Sequence, residues 1–282
     1  MMNTMKTGLL MVLMTVLVMA VGSAFGRQGM YIAGAIALVG NVFSYWFSDK
    51  IVLTMYRAKE VAPEEAPGLH SIVDQLAANA GLPKPKVCII PSEAPNAFAT
   101  GRNPKHAVVA VTEGAMRILS PHELEGVLAH ELAHVQDRDM LISTIVAVMA
   151  GAVMMMATML RWGLMFGGFG GRNSRGGNPL ALLAMAILAP VAAVLIQLAV
   201  SRAREYEADA QGARIAGSSD GLASALEKLA HSSARVRMAG AGPSTAHLFI
   251  VNPLSGKGLA GLFSSHPPTE ERVRRLRSMQ VM

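Results

Sequence analysis

Four long runs of apolar residues divide the chain into membrane-like and polar segments. The runs are Met5–Phe25, Gly29–Phe47, Met140–Leu160 and Leu180–Val200. Each is close to the ~20 residues that a helix needs to cross the hydrocarbon core of a bilayer. None of the four runs shows the polar face that is typical of a helix on the surface of a soluble protein. The pattern therefore predicts a mainly α-helical protein with four membrane spans.

The first apolar run has a second interpretation as a cleaved signal peptide, with Lys6 as its charged end and "VGSAF" as its exit. Signal cores are shorter, about 7–15 residues, and a second apolar run follows here after only a few residues. We favour a retained membrane helix. A mature chain that starts after Ala24 would contradict this interpretation.

Two polar blocks remain between and after the spans, and they suggest a small α+β catalytic part. The predicted organisation is two membrane helices in 1–55, a first catalytic segment in 56–139, a membrane hairpin with a glycine-rich loop in 140–200 and a second catalytic segment in 201–282. In the first block, "APGLHSIVDQLAANAGLPKP" predicts a helix that stops at Gly81 and Pro83. "KVCIIP" and "HAVVAVT" predict short strands, with a hairpin over about residues 96–112.

The next stretch, "SPHELEGVLAHELAHVQDRD", has a strong helix start signal. Ser120 is the predicted N-cap, Pro121 takes the first helical position and Glu123 completes a capping box. We expect this helix to continue into the third apolar run.

The distribution of cations predicts on which side of the membrane the polar blocks lie. With four spans, both blocks and the N-terminus share one face, whose cations near the membrane are Lys6, Lys50, Arg57, Lys59, Arg138, Arg202 and Arg204. The opposite face has Arg27, Arg161, Arg172 and Arg175. Because cytoplasmic loops carry the excess of Lys and Arg, we expect the blocks in the cytoplasm.

Composition limits the chemistry that the chain can support. The formal charge of +6 fits a basic surface beside anionic lipid, and no basic patch is interleaved with the aromatic residues that stack on nucleic-acid bases. We therefore expect a bilayer as partner and no nucleic acid. Cys88 is the only cysteine, which excludes an intrachain disulfide and a thiolate metal cluster. We expect Cys88 to be a small buried apolar residue.

The segment "HELAH" within the predicted helix is a candidate metal site. His130 and His134 lie four residues apart, about 6 Å along the axis and about 40° around it, so both imidazoles converge on one point. Zinc accepts two such nitrogens at about 2.0–2.1 Å. Glu131 projects beside that point and is placed to act as the general base of a hydrolase. The alternative is chance, since one such match is expected in roughly a hundred chains of this length.

A catalytic zinc also needs a third protein ligand. After the last span, "SRAREYEADA" places Glu205 and Asp209 on one helix face. The membrane hairpin returns this segment to the membrane surface beside His134, so Glu205 is the predicted third ligand. Asp209 is predicted to accept the second ring N–H of a ligating histidine. Glu207 is the reserve ligand, and the alternative for the whole segment is a charged helix near the membrane.

These motifs together resemble a known family. "HELAH", two spans, "REYEADA" and "SSHPPTEERVRRL" are similar in sequence and order to the HtpX-type membrane zinc metallopeptidases, relatives of the CAAX prenyl proteases. The resemblance implies one zinc per chain held by His130, His134 and Glu205, with Glu131 as general base. It further implies that His266 stabilises the oxyanion and that Arg272 completes the same motif.

"PNAFATG" also matches the pattern of that family and suggests a substrate-binding strand. An edge strand beside the zinc would pair with an extended peptide through main-chain hydrogen bonds. The predicted strand is formed by Asn96, Ala97, Phe98 and Ala99, with Asn96 and Phe98 bordering the groove. The alternative is an ordinary hairpin.

Two other classes of function were compared with a protease. A zinc transporter needs ionisable groups along its spans, whereas these spans offer Asn41, Gln197 and a few hydroxyls. A zinc-binding scaffold has no use for Glu131. A protease that cuts inside the bilayer is disfavoured because the motif is followed by Asp137, Arg138 and Asp139, which are costly to bury in lipid.

We therefore predict a zinc metalloendopeptidase with a zincin-like catalytic domain made from two cytoplasmic segments. Its expected substrates are proteins and peptides, especially membrane proteins. By resemblance, its role is protein quality control under stress, the turnover of damaged or misfolded membrane proteins in a bacterial inner membrane. The sequence leaves open the oligomeric state and whether an adaptor protein is involved.

Overall fold

The computed structural model describes residues 2–23, 26–165, 202–233, 236, 238, 241–242, 244–251 and 267–280. The helices are α1 (Met2–Ser23), α2 (Gly26–Met55), α3 (Pro67–Asn79), α4 (Glu113–Ile118), α5 (Pro121–Gln136), α6 (Asp139–Met165), α7 (Arg202–Ala216), α8 (Asp220–Ser233) and α9 (Thr269–Ser278). The strands are β1 (Lys59–Glu60), β2 (Lys86–Ile90), β3 (Ala97–Thr100) and β4 (Val108–Thr112).

Helices α1, α2 and α6 pack together and form the apolar part of the described chain. Large apolar side chains of α1 and α2 remain exposed, among them Leu9, Leu13, Ile36 and Val39. Such a surface suits contact with lipid and is unfavourable in water. The exposed apolar surface of these helices supports the prediction of a membrane protein.

The number of spans remains a prediction. Among the described residues, α2 is the single helix that is by itself long and apolar enough to cross a bilayer, and the apolar part of α1 is shorter, Thr7–Val16. Helices α5 and α6 meet the same criterion when taken together, although they are bent by 89° relative to each other. The fourth predicted run, 180–200, lies outside the described residues.

A four-stranded sheet with the order β1-β2-β4-β3 covers one side of α5. The predicted hairpin is confirmed, because β3 and β4 pair antiparallel with Ala97 opposite Val111 and Thr100 opposite Val108. Strand β4 also pairs with β2 in parallel. The consequence is that β3 lies at an edge of the sheet, beside α5.

The start of α5 is as predicted. The Ser120 hydroxyl accepts a hydrogen bond from the Glu123 backbone N–H, and the Glu123 carboxylate accepts one from the Ser120 N–H. These two bonds satisfy backbone donors that have no partner within the helix. Most of α5 is buried against β3, α3, α7 and α8, so its motif lies in the centre of the catalytic part.

The expectation that α5 continues into the third apolar run is wrong. Helix α5 ends at Gln136, Asp137 is its C-cap, and α6 starts at Asp139 in a direction that differs by 89°. Arg138 makes the turn with a left-handed φ of 58°. An arginine rarely adopts this conformation, because its Cβ crowds the neighbouring carbonyl oxygen. The stretch "VQDRDM" contains no glycine or proline, so nothing local in the sequence indicates the bend.

The other local predictions are confirmed. Helix α3 ends at Asn79, and Gly81 follows with a φ of 64°, the conformation that closes many helix C-termini. Cys88 is buried in β2, where burial raises the pKa of its thiol to about 11. A neutral buried thiol is a packing group, as expected.

Candidate metal centre and active site

Helices α5 and α7 bring three metal-binding side chains together. One ligand atom each from His130, His134 and Glu205 lies within 4.8 Å of the others. The Glu205 carboxylate oxygens are 3.9 Å from His130 Nε2 and 3.7 Å from His134 Nε2. The sequence therefore correctly placed Glu205 beside the two histidines. Its neighbour Glu207 is exposed and accepts a hydrogen bond from Gln211, away from the histidines.

The three side chains fit a divalent metal of the zinc type. Two imidazole nitrogens and one carboxylate oxygen are a common ligand set of catalytic zinc, which keeps a fourth position open. The rings of His130 and His134 are nearly perpendicular, at 88°, with centroids 4.8 Å apart. A cavity lies against this cluster, between the three helices α5, α6 and α7 and the segment His247–Ile250.

Glu131 lies beside the ligand cluster with its carboxylate pointed at the sheet. Its Oε2 accepts a hydrogen bond of 2.8 Å from the backbone N–H of Ala99 in β3. Burial raises the pKa of the Glu131 carboxyl to about 7. A carboxylate with a pKa near neutrality exchanges protons readily at physiological pH, which is the property of a general base.

His130 is held by a buried carboxylate–arginine pair. Its Nδ1 lies 3.0 Å from Asp209 Oδ1, and Arg272 donates to both Asp209 oxygens, at 2.9 and 2.7 Å. Burial favours the neutral forms of both His130 and Asp209. At His130 this effect dominates and lowers the pKa to about 4. At Asp209 the opposing effect of Arg272 prevails, and its pKa falls to about 2. The site therefore contains a neutral imidazole facing an ionised carboxylate.

His134 has a partner that sequence reasoning missed. Its Nδ1 is 3.6 Å from Asp139 Oδ2 at the start of α6, and Arg204 donates to Asp139 Oδ1 at 3.0 Å. Burial lowers the pKa of His134, but Asp139, Glu205 and Glu131 outweigh burial and raise it to about 9. Sequence reasoning treated Asp139 only as a charge after the motif, because in the expected continuous helix it would point away from His134.

The segment after α8 supplies a histidine whose place the sequence did not indicate. His247 lines the cavity next to Glu131 and Glu205, and its Nε2 lies 3.0 Å from the carbonyl oxygen of Ser143 in α6. His266, the histidine singled out by the resemblance, lies outside the described residues. Arg272 of the same motif is buried and donates to Asp209 and, at 3.1 Å, to the Ile250 carbonyl oxygen.

The predicted substrate strand is at the sheet edge, but its residues differ in position. Ala99 lines the cavity. Phe98 does not border a groove, since it is fully buried against the rings of Tyr56 and Phe249. The alternation of side chains along a strand turns Phe98 to the face opposite its neighbours.

Asn96 and Ala97 hold a neighbouring segment of the same chain. The buried Asn96 side chain donates to the Val251 carbonyl oxygen at 2.8 Å and accepts from the Val251 N–H at 3.4 Å. The Ala97 carbonyl oxygen accepts a hydrogen bond of 3.3 Å from the Ile250 N–H. The outward main chain of β3 near Ala97 is therefore occupied, and Ala99 is the member of the strand that faces the cavity.

Comparison with known proteins identifies the family. The family model described as "Peptidase family M48" matches residues 63–280, which include the site on α5, the segment α7 and the buried Arg272. The chain belongs to peptidase family M48. This match, together with the relatives named protease HtpX homolog, confirms the resemblance to HtpX-type proteins.

Several proteins named protease HtpX homolog are similar to this peptidase along nearly its whole length. A protease HtpX homolog of Desulfatibacillum aliphaticivorans is 60% identical and covers 97% of this chain and 89% of its own length. A homolog of Syntrophobacter fumaroxidans is 58% identical, covering 97% of this chain and 98% of its own. A homolog of Pyrococcus furiosus is 55% identical over 98% of this chain and 96% of its own.

A comparison with solved structures shows the fold. The crystal structure of S. mikatae Ste24p superposes with a TM-score of 0.52 and 17% identity, over 93% of this chain and 62% of that chain. The fold is mainly helical with a small sheet, and the family match and the relatives named protease HtpX homolog make this M48 peptidase a membrane metalloprotease.

Proposed function

We propose that this M48 peptidase is a zinc-dependent endopeptidase that cleaves damaged or misfolded membrane proteins in protein quality control. The observation that carries the proposal is the convergence of His130, His134 and Glu205 beside the Glu131 carboxylate. Three ligands alone would fit a structural site. A buried carboxylate beside them, with a pKa near neutrality, is what hydrolysis requires in addition.

One zinc ion per chain would be held by His130, His134 and Glu205. When bound, zinc supplies the Lewis acidity that polarises a peptide carbonyl and acidifies a water molecule. The two Nε2 atoms and the Glu205 oxygens face each other, so these residues need no large movement to serve as ligands. The cavity against this cluster leaves a side open for substrate.

Glu131 would take the proton from the attacking water and pass it to the leaving amine. The Ala99 N–H holds the carboxylate by Oε2, and this bond fixes its direction without neutralising it. A carboxylate that is half protonated near pH 7 can act as base in the first step and as acid in the second. His266 is the proposed donor to the oxyanion.

The substrate strand would approach β3 at Ala99, which lines the cavity and whose N–H donates to Glu131. Ile250 occupies the Ala97 carbonyl, whereas Ala99 lies at the cavity. We therefore place the scissile bond near Ala99, with the wall His247–Ile250 on the other side. An extended peptide fits such a cleft, and this favours unfolded segments as substrates.

The proposed organisation keeps the catalytic segments 56–139 and 201–282 at the cytoplasmic face of a bacterial inner membrane, with four spans. The apolar helix α6 starts at Asp139, which contacts His134 of the site. This contact supports a position of the site at the membrane surface. Relatives named protease HtpX homolog support the role in stress response.

A metal-exchange experiment on the full-length protein in detergent tests the proposal. We expect close to one zinc per chain by elemental analysis and cleavage of an unfolded casein-like substrate. Removal of zinc by a chelator should abolish cleavage, and added zinc should restore it. Cleavage that persists after complete removal of zinc would contradict the proposed function.

A further inference from the structure

His134 faces a carboxylate that its own helix does not supply. Asp139, the first residue of α6, is buried with 4% of its surface exposed, and its Oδ2 lies 3.6 Å from His134 Nδ1. Arg204, near the start of α7, donates from Nη1 to the other Asp139 oxygen at 3.0 Å. His134, Asp139 and Arg204 thus form a triad of imidazole, carboxylate and guanidinium.

The same arrangement holds the other histidine. His130 Nδ1 faces Asp209, and Arg272 donates to both oxygens of that carboxylate. In both cases Nε2 of the ring points towards Glu205 and Nδ1 points towards a carboxylate that an arginine holds. The two triads draw on different pairs of elements, because Asp139 and Arg204 belong to α6 and α7, whereas Asp209 and Arg272 belong to α7 and α9.

The bend between α5 and α6 makes the triad of His134, Asp139 and Arg204 possible. In one continuous helix, positions 134 and 139 would be separated by about 140° around the axis and would not meet. The turn at Arg138, with its φ of 58°, brings Asp139 back against the ring of His134. The strained residue is therefore coupled to the orientation of a side chain at the site.

We propose that Asp139 and Arg204 are positioning residues that set the orientation and tautomer of His134 as a metal ligand. A carboxylate at Nδ1 keeps the proton there and leaves the Nε2 lone pair for the metal. Arg204 fixes the position of the Asp139 carboxylate through its hydrogen bond to Oδ1. This inference rests on the proposed zinc centre and adds to it a pair of residues that ties His134 to the first turns of α6 and α7.

Zinc affinity, measured by competition with a chelator in the absence of substrate, tests the pair in the full-length protein. We expect Asp139→Asn to weaken zinc binding by about 10–100-fold, the usual effect of losing such a partner. The matched control is Asp137→Asn, an exposed aspartate two positions earlier whose side chain bonds to Gln211. Its zinc affinity should equal that of wild type.

A second readout separates positioning from general stability. The visible spectrum of the cobalt-substituted protein reports ligand geometry, so it should shift in Asp139→Asn and stay unchanged in Asp137→Asn. If Asp139→Asn does not fold, as judged by circular dichroism, Arg204→Gln takes its place with the same criteria. Zinc affinity within twofold of wild type together with an unchanged cobalt spectrum would overturn the inference.

The outcome also distinguishes this inference from the proposed function. A wild-type protein that binds no stoichiometric zinc would defeat the proposed function itself. A wild-type protein that binds zinc and cleaves substrate, beside an Asp139 variant with the same zinc affinity and the same cobalt spectrum, would defeat only the role of the pair.

Discussion

Glu131 and Asp209 lie in one cluster of buried side chains, yet their carboxyl groups have opposite pKa shifts. Burial dominates at Glu131 and raises its pKa to about 7. At Asp209 the effect of burial is outweighed by Arg272 and His130, and the pKa falls to about 2. The difference assigns a proton-exchanging role to the first group and a fixed negative charge to the second.

The pKa of Glu131 predicts a pH-dependent stability of the zinc-free protein. The folded protein keeps a proton on Glu131 up to about pH 7, whereas the unfolded chain releases it near pH 4.5, the ordinary pKa of a glutamate side chain. The free energy of unfolding therefore falls as the pH rises through this window. Glu131→Gln removes this loss. At pH 8 we therefore expect the free energy of unfolding of the zinc-free variant to exceed that of wild type by about 1–3 kcal/mol.

Unfolding midpoints of the zinc-free proteins in detergent, at pH 4.5 and at pH 8, measure this difference. We expect the advantage of Glu131→Gln to be large at pH 8 and small at pH 4.5. An equal difference at both pH values would show that Glu131 does not carry the proton in the folded protein.

Arg272 is predicted to be a structural necessity of the site. Arg272→Met leaves the Asp209 charge buried without its partner, and breaking a buried pair in this way costs about 3–5 kcal/mol. It also removes the donor to the Ile250 carbonyl. We expect a marked fall in the unfolding midpoint of the variant.

Arg274→Met is the control for this prediction, because it changes the same residue type on the same helix. Arg274 is exposed and pairs with Glu271 at the surface. We expect no measurable change for this variant. Equal falls in the unfolding midpoints of the two variants would contradict the prediction that the buried pair of Arg272 and Asp209 stabilises the site.

At the residue scale, the sequence predicted the side chains whose places follow from helix spacing or from the return of the chain after the membrane hairpin, and it missed those that depend on a turn without a local signal. His130, His134 and Glu131 followed from spacing alone, and Glu205 and Asp209 from the return of the chain. Asp139 required knowledge of a turn at Arg138 that has no local signal. The structural use of Asn96 required the position of Val251, 155 residues away.

At the element scale, the distance between α5 and α7 sets the spacing of the ligands. Gly212 of α7 lies directly against α5, where an added Cβ would be 2.9 Å from the backbone N and Cα of His130. The two helices could not stay at their present separation with a side chain at this position. Glu205 is on the same helix, so it would move with α7.

Gly212→Ala should therefore weaken zinc binding by about tenfold or more, the range seen when ligand geometry is disturbed. The control is Gly68→Ala in α3, where an added Cβ meets nothing within 4 Å. That change should leave zinc affinity unaltered, and alanine favours the helix. Chelator competition measures both, and an unaltered affinity in Gly212→Ala would contradict the role of close helix packing.

Local signals predicted the beginnings of elements better than their directions. The capping box at Ser120 and the glycine after α3 each satisfy backbone groups within a few residues, so sequence alone revealed them. The angle between α5 and α6 is determined by packing against the sheet and α7 and by a left-handed arginine. These are properties of the whole fold.

At the scale of the whole molecule, the excess of cations predicts that the catalytic segments face the cytoplasm. The single native cysteine makes labelling experiments simple, because Cys88 is buried and can be replaced by alanine. Exposed Lys105, in the loop between β3 and β4, is a suitable site for a reporter cysteine. We expect Lys105→Cys to react with a membrane-impermeant reagent in inverted vesicles and not in intact spheroplasts.

The control for orientation is Arg27→Cys, which lies near the start of α2 on the face predicted to be opposite. It should react in intact spheroplasts. Labelling of Lys105→Cys from the outside would place the catalytic segments on the other side of the membrane and reverse the proposed orientation.

The measurement that tests the central claim most directly compares wild type with Glu131→Gln, purified in detergent. Bound zinc and cleavage of an unfolded casein-like substrate are determined on the same samples. We predict about one zinc per chain in both proteins and cleavage by wild type alone, because Glu131 handles the proton and does not hold the metal. Zinc in both proteins with equal cleavage, or with no cleavage by either, would contradict the assignment of this centre as a catalytic site based on Glu131.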